Sequence, residues 1–280
     1  MKKIVAAFDG LKFSESTGQY AIQIAQLSNA RLVGLFLEDI AYHSYKIYDL
    51  VTEEGGFSPA RKRKMDEKDA KKRAASIEKF EVSCKKAGVQ YILHRDRNIA
   101  IQELLHESIY ADLVIINGNE TLSHYPEKAP TRFIRDLLND VQCPVLIIPD
   151  EFIPIDKLVL LYDGEPSSVF AIKMFSYIMA PYREKPVKIL TVRNPDQPSQ
   201  VPDNKLMKEF VKSHFPGASF LVMKGWAEKE IVNYLKSLEQ GSLVVLGAYR
   251  RGRVSRWFRA SMADTLMTSL RLPLFIAHNK

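Results

Sequence analysis

One unit is written twice in this 280-residue chain, and that repetition limits its fold more than any other feature. Residues 3–10 read Lys-Ile-Val-Ala-Ala-Phe-Asp-Gly, and residues 157–164 read Lys-Leu-Val-Leu-Leu-Tyr-Asp-Gly. Each is a short apolar run that stops at Asp-Gly and enters a serine-containing turn, with Ser14 and Ser16 in one copy and Ser167 and Ser168 in the other. Two further landmarks recur in the same order. Residues 111–117 (Ala-Asp-Leu-Val-Ile-Ile-Asn) match 241–247 (Gly-Ser-Leu-Val-Val-Leu-Gly), and 143–148 (Cys-Pro-Val-Leu-Ile-Ile) match 272–277 (Leu-Pro-Leu-Phe-Ile-Ala). The repeat divides the chain into domains at 1–150 and 151–280, joined through a short Glu151–Ile155 stretch that should bring them into contact.

Within each copy, continuous apolar runs alternate with helical patterns. The runs fall near 4–8, 32–37, 89–93, 113–117 and 145–148, and again near 158–162, 187–192, 219–223, 243–246 and 274–277. Apolar runs without polar alternation describe strands buried on both faces, which is how parallel sheets read. The fold class is therefore α/β, with two tandem doubly wound five-stranded parallel sheets. Helix punctuation agrees. Ser58 followed by Pro59 marks a start, Ala74, Ile77, Phe80 and Cys84 form an inward stripe, and Gly88 marks the end. Asn98 is placed to cap the next helix, with Ile101, Leu104, Leu105 and Ile109 facing inward. The first copy alone carries an insertion, residues 39–58, with Tyr42, Tyr45, Tyr48 and Phe57; it reads as a lid or dimer contact, or as a loop packed on its own domain.

Several classes are set aside. No run approaches the roughly 20 apolar residues needed to span a bilayer, and the start of the chain reaches Asp9 too soon for a secretion signal, so a cytoplasmic protein without membrane contact is expected. Cys84 and Cys143 lie far from metal-ligand spacing and read as buried thiols. The six histidines are scattered, and neither a Walker loop, a nucleophile elbow nor a dinucleotide fingerprint is present. A dedicated enzyme is not expected, although weak ATP hydrolysis stays open. Charge is uneven: basic and acidic residues number 21 and 21 up to residue 150, and 19 and 12 beyond it.

In open parallel sheets ligands bind beyond the carboxyl ends of the strands, where strand order reverses. With order 3-2-1-4-5, that crevice is flanked by the Asp-Gly turn after strand 1 and the segment after strand 4. These residues resemble the universal stress protein family, and the resemblance covers nearly the whole chain, twice over. Asp163-Gly164-Glu165-Pro166-Ser167 and the Pro273 strand carry it most closely. In ATP-binding members the loop after strand 4 has the form Gly-x2-Gly-x9-Gly-Ser/Thr; glycine lets backbone amides approach the phosphates, and the following helix start favours an anion. Here Gly247 matches the first glycine, Arg250 stands at the second, and Ala260-Ser261 stand at the last pair. In the first copy the same positions hold Asn117, Glu120 and Pro130-Thr131, and a glutamate there would repel a triphosphate.

The resemblance implies a stress-response or regulatory protein holding ATP or another adenine nucleotide in its second domain, with Asp163, Gly164, Gly247, Ala248, Arg250, Ala260 and Ser261 around it. The first domain is expected to have lost nucleotide binding. Family members commonly dimerise through the fifth strand, so a tandem chain resembles a dimer made covalent, with 144–148 pairing against 273–277; a homodimer of such chains stays open. Arg250, Arg251, Arg253, Arg256 and Arg259 with Tyr249, Trp257 and Phe258 admit three readings: a solvated helix start, a phosphate contact, or a patch for single-stranded nucleic acid. Nucleic acid is the less expected partner. The rival to the nucleotide reading is an interaction module whose Arg-rich loop contacts protein or nucleic acid.

Overall fold

The computed structural model describes residues 1–39, 42–51, 57–238, 240–247 and 260–278. In the first half, β1 (Lys3–Asp9), α1 (Glu15–Ser28), β2 (Arg31–Asp39), α2 (Pro59–Ala87), β3 (Tyr91–Asn98), α3 (Ala100–Ile109), β4 (Leu113–Asn117), α4 (Arg132–Asp140) and β5 (Val145–Ile148) follow one another. The second half repeats the series as β6 (Lys157–Leu161), α5 (Pro166–Ile178), β7 (Val187–Arg193), α6 (Asn204–His214), β8 (Ser219–Lys224), α7 (Ala227–Ser237), β9 (Ser242–Gly247), α8 (Ala260–Ser269) and β10 (Leu274–Ala277). Among the described residues no helix is long and apolar enough to cross a membrane.

All ten strands form one sheet in the order β3-β2-β1-β4-β5-β10-β9-β6-β7-β8. Each half is parallel with the expected 3-2-1-4-5 order, and the halves meet where β5 and β10 run antiparallel, Leu146 opposite Phe275. Because successive side chains in a strand point to opposite faces, Ile4, Ala6 and Phe8 enter one core and Val5 and Ala7 the other. The first core lies under α1, α2, α5 and α6; the second lies under α3, α4, α7 and α8. Both cores run across the join.

Local chemistry accounts for most boundaries. Ser14 accepts the Thr17 N–H and starts α1, and Ser58 accepts the Arg61 N–H at 3.3 Å, with Pro59 in the first turn of α2. Gly88, at φ 67°, closes α2 by donating to Cys84 and Lys85 carbonyls. Cys84 and Cys143 are buried free thiols, and burial raises both to about 12. Four expectations are corrected. Asn98 ends β3 and does not cap α3; Ile99 takes that place, and the Ala100 N–H is held by Asp39 at the end of β2, 3.1 Å away. Ile109, the last residue of α3, is exposed, and so is Ala74 of α2. Strand β3 runs to Asn98 through His94, Arg95 and Arg97, since an edge strand needs no continuous apolar run.

The join is clamped from both sides. The Tyr20 hydroxyl donates to the Ile153 carbonyl at 2.9 Å, and its ring meets Phe152 edge-on at 4.7 Å. Ser16 donates to the Pro149 carbonyl at 2.7 Å, and Thr268 of α8 donates to the Ala129 carbonyl at 2.8 Å.

Candidate functional site

A cavity of about 1120 Å³ lies beyond the carboxyl ends of β6, β7 and β8, between them and helices α7 and α8. Asp163, Gly164 and Glu165 form one wall, the ends of β7 and β8 continue it through Arg193 and Trp226, and Met262 and Thr265 of α8 face it. Asp163 leaves β6 in a turn of its own making: Oδ1 accepts the Glu165 N–H at 2.9 Å and lies 2.7 Å from the Ser168 hydroxyl. Gly164 is required there twice. Its φ is 92°, and a Cβ would stand 2.7 Å from Pro202, whose carbonyl is held by the buried Tyr162 hydroxyl at 3.2 Å.

Gly247 is the last residue of β9, beside the first turn of α5. A Cβ there would lie 2.4 Å from the Ser167 carbonyl oxygen, in the first turn of α5. The missing side chain thus lets β9 lie directly against the start of a helix, a packing role that its place in the loop motif did not disclose. Ala248 and Arg250, with the rest of the Arg-rich stretch, lie outside the described residues. Ala260 opens α8, and Ser261 follows in its first turn. Of the residues named from the sequence, Asp163 and Gly164 therefore line the cavity, opposite Met262 and Thr265 of α8, while Gly247 is packed against α5 and is not among the lining residues.

The equivalent crevice in the first half is built alike and closed. Asp9 repeats the Asp163 turn, with Oδ1 accepting the Leu11 N–H at 2.7 Å, but Asp9 is only 1% exposed. Its cover is Tyr42 from the insertion, 5% exposed and seated among the apolar side chains of the second core. Lys12 places its ammonium 5.4 Å from the centre of the Tyr42 ring and donates to the Ser123 carbonyl at 3.1 Å, while His124 meets the ring edge-on at 5.1 Å. The segment is tied down onto α2: Ser44 N–H donates to Asp69 at 2.8 Å, and the Tyr45 hydroxyl donates to Asp66 at 2.5 Å. Through Tyr42, Ser44 and Tyr45 the described part of the insertion therefore packs on its own domain, while Tyr48 and Phe57 are exposed.

Carboxylates of the chain occupy the backbone donors around this crevice. Glu120 Oε1 accepts the N–H groups of Thr121 and Leu122 at 3.0 and 3.2 Å, and Glu127 accepts the first N–H of α4, from Arg132, at 2.6 Å. Thr131 caps the same helix by accepting the Ile134 N–H at 3.2 Å and donates its own proton to the Glu120 carbonyl. Burial, reinforced by the charge of nearby Asp9, raises Glu120 to about 7 despite its two amide donors. Burial raises Asp9 as well, and it raises Tyr42 still further from its ordinary value, with the Asp9 charge adding to the effect. Asp9 Oδ2 has no hydrogen bond of ordinary geometry; the Tyr42 hydroxyl is the neighbouring donor that favours its charged form.

Sequence reasoning named Tyr42 only as one of the aromatics of the insertion, without its seat over Asp9, and missed Arg193 and Trp226. Arg193 ends β7 and Trp226 follows β8, strands that carry no motif, and only the strand order brings the two residues beside Asp163.

No protein-family model matches the sequence, and no curated protein does. Solved structures match along its whole length. A universal stress protein from Archaeoglobus fulgidus superposes with a TM-score of 0.69 at 14% identity, over 99% of this chain and 98% of that one. A functionally unknown protein from Pseudomonas aeruginosa PAO1 gives 0.64 at 11% identity, over 99% and 92%, and a candidate universal stress protein from Pseudomonas aeruginosa UCBPP-PA14 gives 0.62 at 12%, over 99% and 93%. At these identities the likeness is one of fold: the α/β architecture of this chain is that of the universal stress proteins, in tandem.

Proposed function

We propose that this chain is a regulatory protein of the universal stress type, whose second half binds an adenine nucleotide and whose first half is a structural partner with a sealed crevice. The observation that carries the reading is the contrast between two copies of one turn: Asp163 lines a cavity of about 1120 Å³, while Asp9 lies beneath Tyr42. A nucleotide in the second crevice would set its sugar against Asp163, whose carboxylate accepts hydroxyl protons, and its phosphates at the start of α8. The first N–H groups of a helix lack intrahelical partners and favour an anion. The excess of basic residues beyond residue 150, 19 against 12 acidic, favours the same ligand class.

The reading is one of binding and not of turnover. In the first half the corresponding donors are met by Glu120 and Glu127, and a bound triphosphate would have to displace both. The test is titration calorimetry with ATP. The wild type is expected to bind, and Asp163→Asn, which keeps the acceptor that holds the turn but loses the charge, is expected to bind about tenfold or more weakly, on the 1.5–3 kcal/mol of a charged hydrogen bond. Equal binding by the two proteins removes Asp163 from the site, and no heat with the wild type sinks the reading.

A further inference from the structure

The outer end of the second-half cavity has chemistry that the nucleotide reading leaves unused. Trp226 lines it and is 79% exposed, an unusual state for a side chain that is highly buried on average. Its position is fixed by the backbone. The Gly225 N–H donates to the Arg193 carbonyl at 2.9 Å, tying the end of β8 to the end of β7, and Gly225 holds a φ of 141° that turns the chain into α7 with Trp226 as its capping residue. Arg193 stands between Asp163 and Trp226, because β7 lies between β6 and β8. Its Nε is shut off from solvent without a hydrogen-bond partner among the described residues, while Arg193 itself lines the cavity. A guanidinium has five N–H donors, so the part of Arg193 that borders the cavity can donate to a ligand acceptor.

We propose that Trp226 and Arg193 form the recognition end of this site: Trp226 stacks on the planar base of the nucleotide, and Arg193 donates to its sugar-phosphate middle. The inference rests on the nucleotide reading and adds the residues that select a base-bearing ligand. The strand ends set the order of contacts. From β9 outward to β8 there are three strand spacings of about 4.8 Å, the span of an extended nucleoside polyphosphate, with phosphates at the crevice and the base outermost. A base has two apolar faces, and covering one with an indole removes apolar surface of both from water; such stacking changes affinity by roughly tenfold or more.

The test compares ATP with inorganic triphosphate, which has the charge and no base, by titration calorimetry on the full chain. Trp226→Ala is expected to weaken ATP about tenfold or more and to leave triphosphate unchanged, while Trp226→Phe, which keeps an aromatic face, stays within about threefold of the wild type. Arg193→Gln is expected to weaken both ligands. Because Trp226 is exposed, its variants should keep the wild-type urea midpoint, which checks that folding is intact. ATP affinity unchanged in Trp226→Ala, or an equal loss for ATP and triphosphate, overturns the inference while the nucleotide site stands; no ATP binding by the wild type overturns both.

Discussion

Asp9 and Asp163 each accept the N–H two residues on, at 2.7 and 2.9 Å, and differ in what covers them. The repeat made both aspartates legible in the sequence, since Asp-Gly ends the first strand of each half. The seat of Tyr42 was not legible, because a tyrosine 33 residues from Asp9 reaches it only through the tertiary fold. Glu120 was visible as a charge hostile to phosphate; its bonds to its own backbone and its burial beside Asp9 emerge only from packing. That burial has a pH signature. Glu120 is raised from 4.5 to about 7, so between those values the folded chain holds a proton that the unfolded chain has released. Stability must therefore fall as pH rises through that window, by on the order of 3 kcal/mol at about 1.4 kcal/mol per unit. Urea midpoints at pH 5 and pH 8 read it: Glu120→Gln should lose most of the decline seen in the wild type, and an unchanged decline would show that the carboxyl is not held protonated.

At the scale of elements, the strands were the most legible part of the chain. Residues buried on both faces leave continuous apolar runs, and β4, β5 and β10 fall where those runs predict them. Edge strand β3 extended beyond its run because one side of it meets no further strand and tolerates His94 and Arg95. Helix α2 was read correctly at both ends because Ser58, Pro59 and Gly88 act locally, whereas α3 is started by Asp39 from another strand. Gly247 shows how a motif residue can have a packing cause. Gly247→Ala would drive a Cβ against the Ser167 backbone, so α5 must shift from β9, and a loss of roughly 1–3 kcal/mol is expected by urea denaturation. An unchanged midpoint would mean that α5 yields freely. Ser58→Ala should cost about 1 kcal/mol by loss of the α2 cap, measured in the same way.

For the whole molecule, the antiparallel β5–β10 pair turns two five-stranded sheets into one, and both cores cross it. A chain built this way should unfold in a single transition. Phe275, fully buried and opposite Leu146, lies at that join, and Phe275→Ala should lower the one midpoint by about 3–5 kcal/mol of stability without splitting the transition; two separated transitions would show halves that fold independently. Holding two copies in one chain keeps them at an effective concentration in the millimolar range, so one crevice is free to close without loss of the pairing. The division of labour is the central claim, and the number of ATP molecules bound per chain at saturation, by equilibrium dialysis, tests it most directly. One is the value this account predicts; two would mean that Tyr42 does not seal the first crevice, and none would mean that the second is not a nucleotide site.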